Sequence, residues 1–280
     1  MGSLYTAAAS FLDARANGGR WLVRMEDLDS PRVVTGSAAR ILGTLSRFGF
    51  EWDGDVVYQS ARTERYAAAL ETLRARELTF ECSCSRAQLK DEERYPGHCR
   101  NGPRIPELPT ATRLRVDPCQ IHIRDRIQGS FRQDVAAAVG DMILRRRDQR
   151  FAYVLAVVVD DAAQGVTHVV RGADLLDDTP RQVHLQRLLS LALPHYAHVP
   201  VLMEPDGGKL AKSARSVHLN AESPLPQLIR VFDLLNLAPP AALADAALPE
   251  AWHWAVGHWD INNVPKRLIH PLEGQNRDLP

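Results

Sequence analysis

One arginine and one tyrosine in the most apolar long segment of the chain, residues 150–176, could bind a ligand. Tyr153 lies early in this segment, and Arg171 lies where its last apolar run ends, followed by Gly172. Ligands gather at the carboxyl ends of parallel strands in open α/β sheets, so the planar fork of an arginine there suits a carboxylate or a phosphate. The alternative is that Arg171 forms a surface ion pair and Tyr153 packs in the core.

Two lysines lie three positions apart in a chain that otherwise uses arginine. Only four of the 34 basic residues are lysines, and Lys209 and Lys212 are two of them. Lysine supplies a mobile point charge rather than a planar fork. The pair therefore indicates a site that needs such a charge, unless the clustering is due to chance.

Three cysteines form a candidate metal site. Residues i and i+2 on a strand point to the same face, so Cys82 and Cys84 can share a ligand, and Cys99 is the natural third sulfur. Tyr95 or His98 could complete a tetrahedral zinc site. The alternative is a set of reduced thiols, because this spacing is less specific than paired C-x-x-C motifs.

Composition favours a globular protein with a sizeable core. The chain has 280 residues, of which 45% are hydrophobic, enough for one large domain or two smaller ones. Its formal net charge is zero, so any contact with nucleic acid must be local. No segment approaches the roughly 20 apolar residues of a membrane helix, so no membrane partner is expected. Disulfides are not expected either, and Cys119 is predicted to be a small core residue.

The elements that must position these residues alternate between helices and short strands. In the first part of the chain the pattern predicts helices at 3–16, 35–48 and 60–76 and strands at 21–25 and 52–59. The first strand delivers Glu26 at its carboxyl end, and Thr35 or Ser37 could cap the second helix. Such alternation argues for a parallel sheet with helices on its faces. The helix comes first, which suggests that a strand completing a βαβ unit is missing before it.

The second part of the chain contains the apolar segment and the lysine pair. Residues 151–159 and 166–170 are predicted to be buried strands, although residues 156–163 could equally form a buried helical turn. Further strands are predicted at 112–116, 120–124, 127–132 and 196–203, and further helices at 178–193, 224–237 and 241–254.

Four sequence blocks, together with the cysteine pattern, resemble those of a known family. They are Arg24-Met25-Glu26-Asp27-Leu28-Asp29 with Pro31-Arg32, Tyr153 with Val158-Val159-Asp160-Asp161, Thr167-His168-Val169-Val170-Arg171-Gly172, and Lys209-Leu210-Ala211-Lys212-Ser213. They resemble the catalytic core of glutamyl-type class I aminoacyl-tRNA synthetases, and most closely the short paralogues that act on queuosine in tRNA(Asp). The short form is favoured because the chain stops soon after the lysine block. Val157 also stands where ordinary synthetases tend to carry a polar residue.

The resemblance implies an α/β fold: a Rossmann-like class I core with a zinc-bearing insertion and a small C-terminal helical region. The domains expected from it are a first half of the nucleotide-binding domain at 1–77, the zinc-bearing insertion at 78–140, the second half at 141–203, and the lysine loop with the helical region at 204–280.

The resemblance also implies an ATP-dependent ligase. Glutamate would attack the α-phosphate of ATP, which binds with Mg²⁺, to give glutamyl-adenylate without needing tRNA. The glutamyl group would then pass to queuosine at the wobble position of the tRNA(Asp) anticodon. The implied partners are therefore ATP, L-glutamate and tRNA(Asp) bearing queuosine, and a cytoplasmic monomer is expected.

Residue roles follow by motif position. Lys212 and Lys209 would be catalytic and neutralise the phosphates of ATP, because attack on a phosphate depends on charge neutralisation and positioning. Lys212, Gly2 and Ser3 would contact ATP. The residues matched to glutamate binding are Glu26, which would face the ammonium group, and Tyr153 and Arg171, which would hold a carboxylate. The residues matched to a structural zinc site are Cys82, Cys84, Tyr95 and Cys99.

One departure from the family concerns the start of the chain. Gly2-Ser3-Leu4 match the end of its first nucleotide motif, and the preceding strand, which carries an arginine and a serine that bind glutamate, is missing. Either the start codon is assigned too late or the product is truncated. We expect a poorly active chain that is less stable than its extended form. The alternatives are an inactive RNA-binding relic and a fragment of a conventional glutamyl-tRNA or glutaminyl-tRNA synthetase.

Overall fold

The structure is a computed structural model, and it describes residues 1–29, 34–92, 94–203, 219–220 and 222–271. The two lysines predicted to be catalytic, Lys209 and Lys212, lie outside these residues, as do Pro31 and Arg32 of the first motif. Within the described ranges, no helix is both long enough and apolar enough to cross a membrane.

Eight α-helices and eleven strands form the described part of the chain. The helices are α1 (Gly2–Ala16), α2 (Ser37–Arg47), α3 (Thr63–Ala75), α4 (Val135–Ala138), α5 (Tyr153–Ala163), α6 (Thr179–Leu188), α7 (Pro224–Leu234) and α8 (Leu248–Gly257). The strands are β1 (Arg24–Met25), β2 (Val57–Tyr58), β3 (Thr79–Cys82), β4 (Ala111–Leu114), β5 (Gln120–Asp125), β6 (Gly129–Asp134), β7 (Ile143–Arg145), β8 (His168–Gly172), β9 (His195–Val199), β10 (Val201–Met203) and β11 (Ile269–Pro271).

Two short parallel strand pairs position Glu26, which directly follows β1, and Arg171, which lies in β8. β1 pairs with β2, with Arg24 opposite Val57, and β8 pairs with β9, with Arg171 opposite His198. The described residues contain no ladder that joins these two pairs. The antiparallel strands are the hairpin β5–β6 and the three-stranded sheet β3–β4–β7. The predicted combination of helices with short parallel strands is therefore present, beside a second, antiparallel part.

An aromatic cluster joins the first helix to the last two. Phe11 on α1 lies edge-on to Trp21, Phe50 and Trp252, with ring centroids 5.3, 5.4 and 4.8 Å away. Phe232 on α7 contacts the same Trp252 at 5.4 Å, and all five rings are buried. Because buried aromatic side chains contribute a large apolar area each, this cluster holds α7 and α8 against α1.

A second core crosses the domain boundaries predicted at residues 77 and 140. It includes Leu70 from α3, Leu114 from β4, Ile121 from β5 and Leu155 from α5, and these four side chains are almost completely buried. Residues 78–140 thus share a core with residues on both sides, and the domain boundaries themselves remain predictions.

The prediction of a strand at 151–159 is wrong, because residues 153–159 form the first part of α5. Residues 154–158 are all buried, so this part of the helix is apolar on every face. A run of this kind has the same hydrophobic pattern whether it forms a buried strand or a buried helix. The alternative, a helical turn at 156–163, is the correct one, and the helix starts earlier than that alternative supposed. The second strand of the segment is present as β8, two residues later than predicted, and it is only partly buried, since Arg171 is its one buried residue.

Several boundaries also differ from the predictions. The N-cap of α2 is Gly36, which has a φ of 75° and therefore suits glycine, and neither Thr35 nor Ser37 caps the helix through its side chain. Helix α6 ends at Leu188 rather than at 193, and Ser190 just beyond it has a φ of 56°, which no α-helix can continue. The helix predicted at 241–254 divides into a 3₁₀ turn and α8, which has a proline in its first turn.

Candidate functional site

Three separate elements carry the residues predicted to bind glutamate. Glu26 follows directly after β1, Tyr153 is the first residue of α5, and Arg171 lies in β8. The Glu26 side chain is 43% exposed, Tyr153 is half-buried, and Arg171 is buried with 9% of its surface exposed. A buried arginine at the end of a parallel strand needs a specific set of acceptors, because its charge cannot be left unpaired.

The buried guanidinium group of Arg171 is held on one side by polar partners. Its Nε donates to Nε2 of His198 at 3.1 Å, and its Nη2 donates to Oγ1 of Thr179 at 2.8 Å. Its carbon Cζ lies 5.3 Å from the centre of the Tyr196 ring. In the part of the chain that the structure describes, Nη1 has no hydrogen-bond acceptor. Arg171 is therefore not a surface ion pair. His198 and Thr179 fix its guanidinium group, and Nη1 is the nitrogen that remains for a ligand.

The charges of Glu26 and Arg171 both act on Tyr153. Burial raises the pKa of the Tyr153 phenol, the carboxylate of Glu26 raises it further, and the guanidinium group of Arg171 lowers it. The same guanidinium group opposes the rise in the pKa of Glu26 that partial burial causes. Because such interactions fall off steeply with distance, the three predicted residues lie in one electrostatic neighbourhood.

A second arginine anchors the acidic side of this neighbourhood, and the sequence reasoning did not give it a role. Nη2 of Arg24 lies 2.9 Å from Oδ1 of Asp161 and 3.7 Å from Oε1 of Glu26. Its Nη1 donates to Oε1 of Gln164 at 2.8 Å. Burial raises the pKa of Asp161, against the opposing charges of Arg24 and Arg171. Arg24 therefore ties the end of β1 to α5 and orients Glu26. The spacing of Arg24 and Glu26, two positions apart in the first motif, was the available signal.

A groove of about 620 Å³ adjoins this neighbourhood. Glu26 and Asp161 lie on its wall, together with residues 19–22 and 164–170, Arg24 and the C-terminal part of α1. Gly2 and Ser3, predicted to contact ATP, form the first turn of α1, and Ser3 is exposed. The groove is thus lined by residues of both β1 and β8, with the charged side chains of Arg24 and Glu26 at its β1 end.

The predicted metal ligands form a second group, and the guanidinium carbon of Arg113 lies 3.9 Å from the centre of its Tyr95 ring. The sulfur atoms of Cys82, Cys84 and Cys99 all lie within 4.8 Å of one another, and those of Cys84 and Cys99 are 3.6 Å apart. The Tyr95 hydroxyl lies 3.5 Å from the Cys82 sulfur and accepts a hydrogen bond from the Cys99 amide at 2.7 Å. His98 is not part of the group, and its ring centroid lies 6.3 Å from that of Tyr95.

The local geometry of the cysteines differs in one respect from the prediction. Cys82 is the last residue of β3, and Cys84 follows the strand instead of continuing it. The loop after β3, not the strand pleat, therefore brings the two sulfurs together. Cys119 lies elsewhere, and its sulfur is 3.4 Å from Nδ1 of His184.

A buried carboxylate supports the helix that carries Tyr153. Asp160 on α5 has no exposed surface. It accepts hydrogen bonds from Nε of Arg62 at 2.6 Å, the hydroxyl of Tyr66 at 2.6 Å and Nε2 of Gln59 at 3.1 Å. Burial and the neighbouring Asp160 carboxylate raise the pKa of Tyr66, so the phenol stays protonated as a donor. Asp160 is thus a structural anchor between α5 and α3.

Comparison with known protein families identifies the fold that this geometry belongs to. The matching family model is that of the catalytic domain of class I tRNA synthetases (E and Q), and it covers residues 1–224. A glutamyl-Q tRNA(Asp) synthetase of Pseudomonas aeruginosa is 52% identical over 273 residues, which are 97% of this chain and 93% of the relative. A protein of the same name from Thiobacillus denitrificans is 50% identical over 279 residues, 97% of this chain and 92% of the relative.

Two solved structures share the fold at low sequence identity. The glutamate-tRNA synthetase of Elizabethkingia anophelis superposes with a TM-score of 0.80 at 22% identity, covering 98% of this chain and 65% of that one. The glutamate tRNA ligase of Elizabethkingia meningosepticum, solved with its amino acid, gives a TM-score of 0.77 at 21% identity, covering 95% of this chain and 63% of that one. This chain therefore spans less than two thirds of the length of either structure.

Proposed function

The chain belongs to the family of class I glutamyl- and glutaminyl-tRNA synthetases, and we propose that it activates glutamate with ATP and transfers it to queuosine in the anticodon of tRNA(Asp). The observation that carries this proposal is about 50% identity, over 97% of the chain, to relatives named glutamyl-Q tRNA(Asp) synthetase. Identity of this extent covers the whole site, not one motif.

The charges around Tyr153 support glutamate as the amino acid. Glutamate has one ammonium group and two carboxylates, so its site needs one acidic side chain and at least one basic one. Glu26 would face the ammonium group, and Arg171 with Tyr153 would hold a carboxylate. With Nε and Nη2 of Arg171 already engaged, Nη1 is left to donate to a carboxylate oxygen in a charge-assisted hydrogen bond.

The activation step needs neutralisation of phosphate charge. An oxygen of the glutamate α-carboxylate attacks the α-phosphorus of ATP, the bond to the β-phosphate oxygen breaks, and pyrophosphate leaves. A hydroxyl of queuosine then attacks the acyl carbon, and AMP leaves.

We assign the catalytic charges to Lys212 and Lys209 and further ATP contacts to Gly2 and Ser3. Mg²⁺, bound with ATP, would supply additional positive charge at the phosphates.

The cysteine group fits a structural zinc ion. Two sulfur ligands of a tetrahedral zinc with Zn–S bonds of about 2.3 Å lie about 3.8 Å apart. The 3.6 Å between the Cys84 and Cys99 sulfurs is close to that value. Cys82 would supply the third sulfur and Tyr95 the fourth ligand. Because four protein ligands leave no open position, the ion would hold the loops of residues 82–99 together and take no part in the reaction.

Replacing Cys99 by alanine is expected to remove the metal and to lower the melting temperature by about 5–10 °C, because metal-binding free energy contributes to folding. Elemental analysis of the purified protein and calorimetry measure the two effects. Cys119→Ala is the matched control, since Cys119 is outside the cluster, and it should keep the metal. Purified protein with far less than one zinc per chain, whose melting temperature a chelator does not change, would argue against the zinc site.

The proposed activity is tested with pyrophosphate exchange and glutamate transfer. We expect the purified chain to exchange labelled pyrophosphate into ATP when glutamate is present, without tRNA, and not when aspartate or glutamine replaces it. Labelled glutamate should pass to tRNA(Asp) from cells that make queuosine and not to the same tRNA from cells that lack it. Charging of tRNA(Glu) would instead indicate a conventional synthetase. Because the chain is expected to be poorly active, the absence of glutamate-dependent exchange both in this chain and in a form extended at its N-terminus would contradict the proposed enzyme.

A further inference from the structure

A buried aspartate at the end of β5 holds the histidine that contacts Arg171. Oδ1 of Asp125 accepts hydrogen bonds from the backbone amides of Gln128 at 2.8 Å, Ile127 at 2.9 Å and His198 at 3.2 Å. Its Oδ2 lies 2.6 Å from Nδ1 of His198. Burial raises the pKa of Asp125, but the hydrogen bonds from His198 and the two loop amides outweigh this effect and lower it. The carboxylate is therefore ionised and acts only as an acceptor.

The ionised aspartate determines which nitrogen of His198 carries the proton. Because Asp125 can only accept, Nδ1 of His198 must donate to it. Nε2 then has a free lone pair, and it accepts from Nε of Arg171 at 3.1 Å. With a proton on Nε2, two N–H groups would face each other at this distance. The buried chain Asp125–His198–Arg171 thus has one consistent direction of donation.

A threonine completes the orientation of Arg171. Oγ1 of Thr179 accepts from Nη2 of Arg171 at 2.8 Å, and its own proton can go to the backbone oxygen of Leu175 at 2.9 Å or to Nε2 of His198 at 3.1 Å. His198 and Thr179 therefore hold Nε and Nη2 along one edge of the guanidinium group. His198 has no exposed surface, and Asp125 and Thr179 are also buried, so water does not compete for these bonds.

We infer that Asp125 and His198 are positioning residues for substrate binding: they fix the rotation of the Arg171 guanidinium group so that its remaining N–H groups meet the glutamate carboxylate. This inference rests on the proposed function, in which Arg171 binds that carboxylate. It also gives the β5–β6 hairpin, in the predicted insertion, a role at the amino-acid site. Neither residue touches substrate in this scheme, and both act through Arg171.

Two substitutions of His198 separate positioning from simple packing. His198→Asn retains a donor near the position of Nδ1 and loses the acceptor for Arg171. His198→Gln retains an acceptor near the position of Nε2 and loses the donor to Asp125. We expect the Asn variant to raise the glutamate KM about tenfold, while the Gln variant stays within about threefold of the wild type. The ATP KM should not change in either variant.

A substitution of Asp125 tests the same chain from its other end. Three backbone amides require an acceptor at Oδ1, so the amide nitrogen of Asp125→Asn must take the position of Oδ2 and face Nδ1. His198 would then carry its proton on Nε2, opposite the N–H of Arg171. We expect this variant to raise the glutamate KM about tenfold, as His198→Asn does, although the aspartate side chain changes by one atom only.

The measurements are the glutamate and ATP KM values in pyrophosphate exchange, glutamate affinity by calorimetry, and the melting temperature of each variant. His195→Gln, on the same strand and exposed, is the matched control and should leave both KM values unchanged. If His198→Asn and His198→Gln raise the glutamate KM equally, or if neither variant raises it, the positioning inference is wrong. If the wild type neither exchanges pyrophosphate nor binds glutamate, the proposed function fails, and the inference fails with it.

Discussion

Replacing Arg171 by alanine is expected to raise the glutamate KM by about two to three orders of magnitude. The substitution removes a desolvated, pre-oriented partner of a substrate carboxylate, and losing one side of such a pair costs about 2–5 kcal/mol. Pyrophosphate exchange at varied glutamate concentrations measures the change, and glutamate affinity by calorimetry checks it independently. The ATP KM should change far less, because Arg171 is assigned to the amino acid.

Replacing Arg171 by lysine separates charge from geometry. Lysine retains the positive charge but lacks the planar fork that bonds His198 and Thr179. We therefore expect a glutamate KM between those of the wild type and the alanine variant. Arg145 provides a matched control, because its guanidinium carbon lies 5.5 Å from the centre of the Phe151 ring, away from the site. If Arg145→Ala and Arg171→Ala affect exchange alike, Arg171 has no special role in binding glutamate.

Replacing Asp160 by alanine is expected to destabilise the protein by about 3–5 kcal/mol, because it leaves the half-buried guanidinium group of Arg62 without its charge partner. Tyr66 and Gln59 would lose their acceptor as well. The total stability of a domain is only about 5–15 kcal/mol, so a loss of this size removes a large part of it. Urea unfolding followed by circular dichroism measures the change.

The control for this substitution is an exposed ion pair. Arg74 and Glu71 lie three positions apart on α3, and 63% of the Glu71 side chain is exposed. Glu71→Ala should cost less than about 0.5 kcal/mol, because water solvates both groups after the change. If Asp160→Ala costs no more than that, the buried network does not stabilise the contact between α5 and α3. Asp160→Asn, which retains the shape, is expected to cost less than the alanine variant.

The cysteine cluster shows which ligands of a candidate metal site residue spacing alone can predict. The sequence pointed to Cys82, Cys84 and Cys99 as one group, and their sulfurs do lie together. The pattern left Tyr95 and His98 open as the fourth member. Tyr95 is the one in contact, which depends on the path of the loop between residues 84 and 99 and cannot be read from spacing.

The Asp125–His198 pair shows what sequence reasoning missed. The two residues are 73 positions apart, and neither stands in a motif block. His198 lies in a strand predicted from its apolar neighbours, where a histidine gives no indication of its partner. A signal existed only in the chemistry, since a histidine in a buried strand must satisfy both ring nitrogens. The partner itself follows from the packing of the β5–β6 hairpin against β9.

The sequence alone was sufficient to establish the local features, namely the family motifs, the cysteine group, and most helices and strands. These features depend on residue type and on spacing within a few turns, which a sequence displays directly. The conformation of residues 153–163 and the hydrogen bonds that orient Arg171 required the folded chain. An apolar run is compatible with either a helix or a strand until its neighbours are known, and a buried polar group finds its partners only through contacts that are distant in sequence.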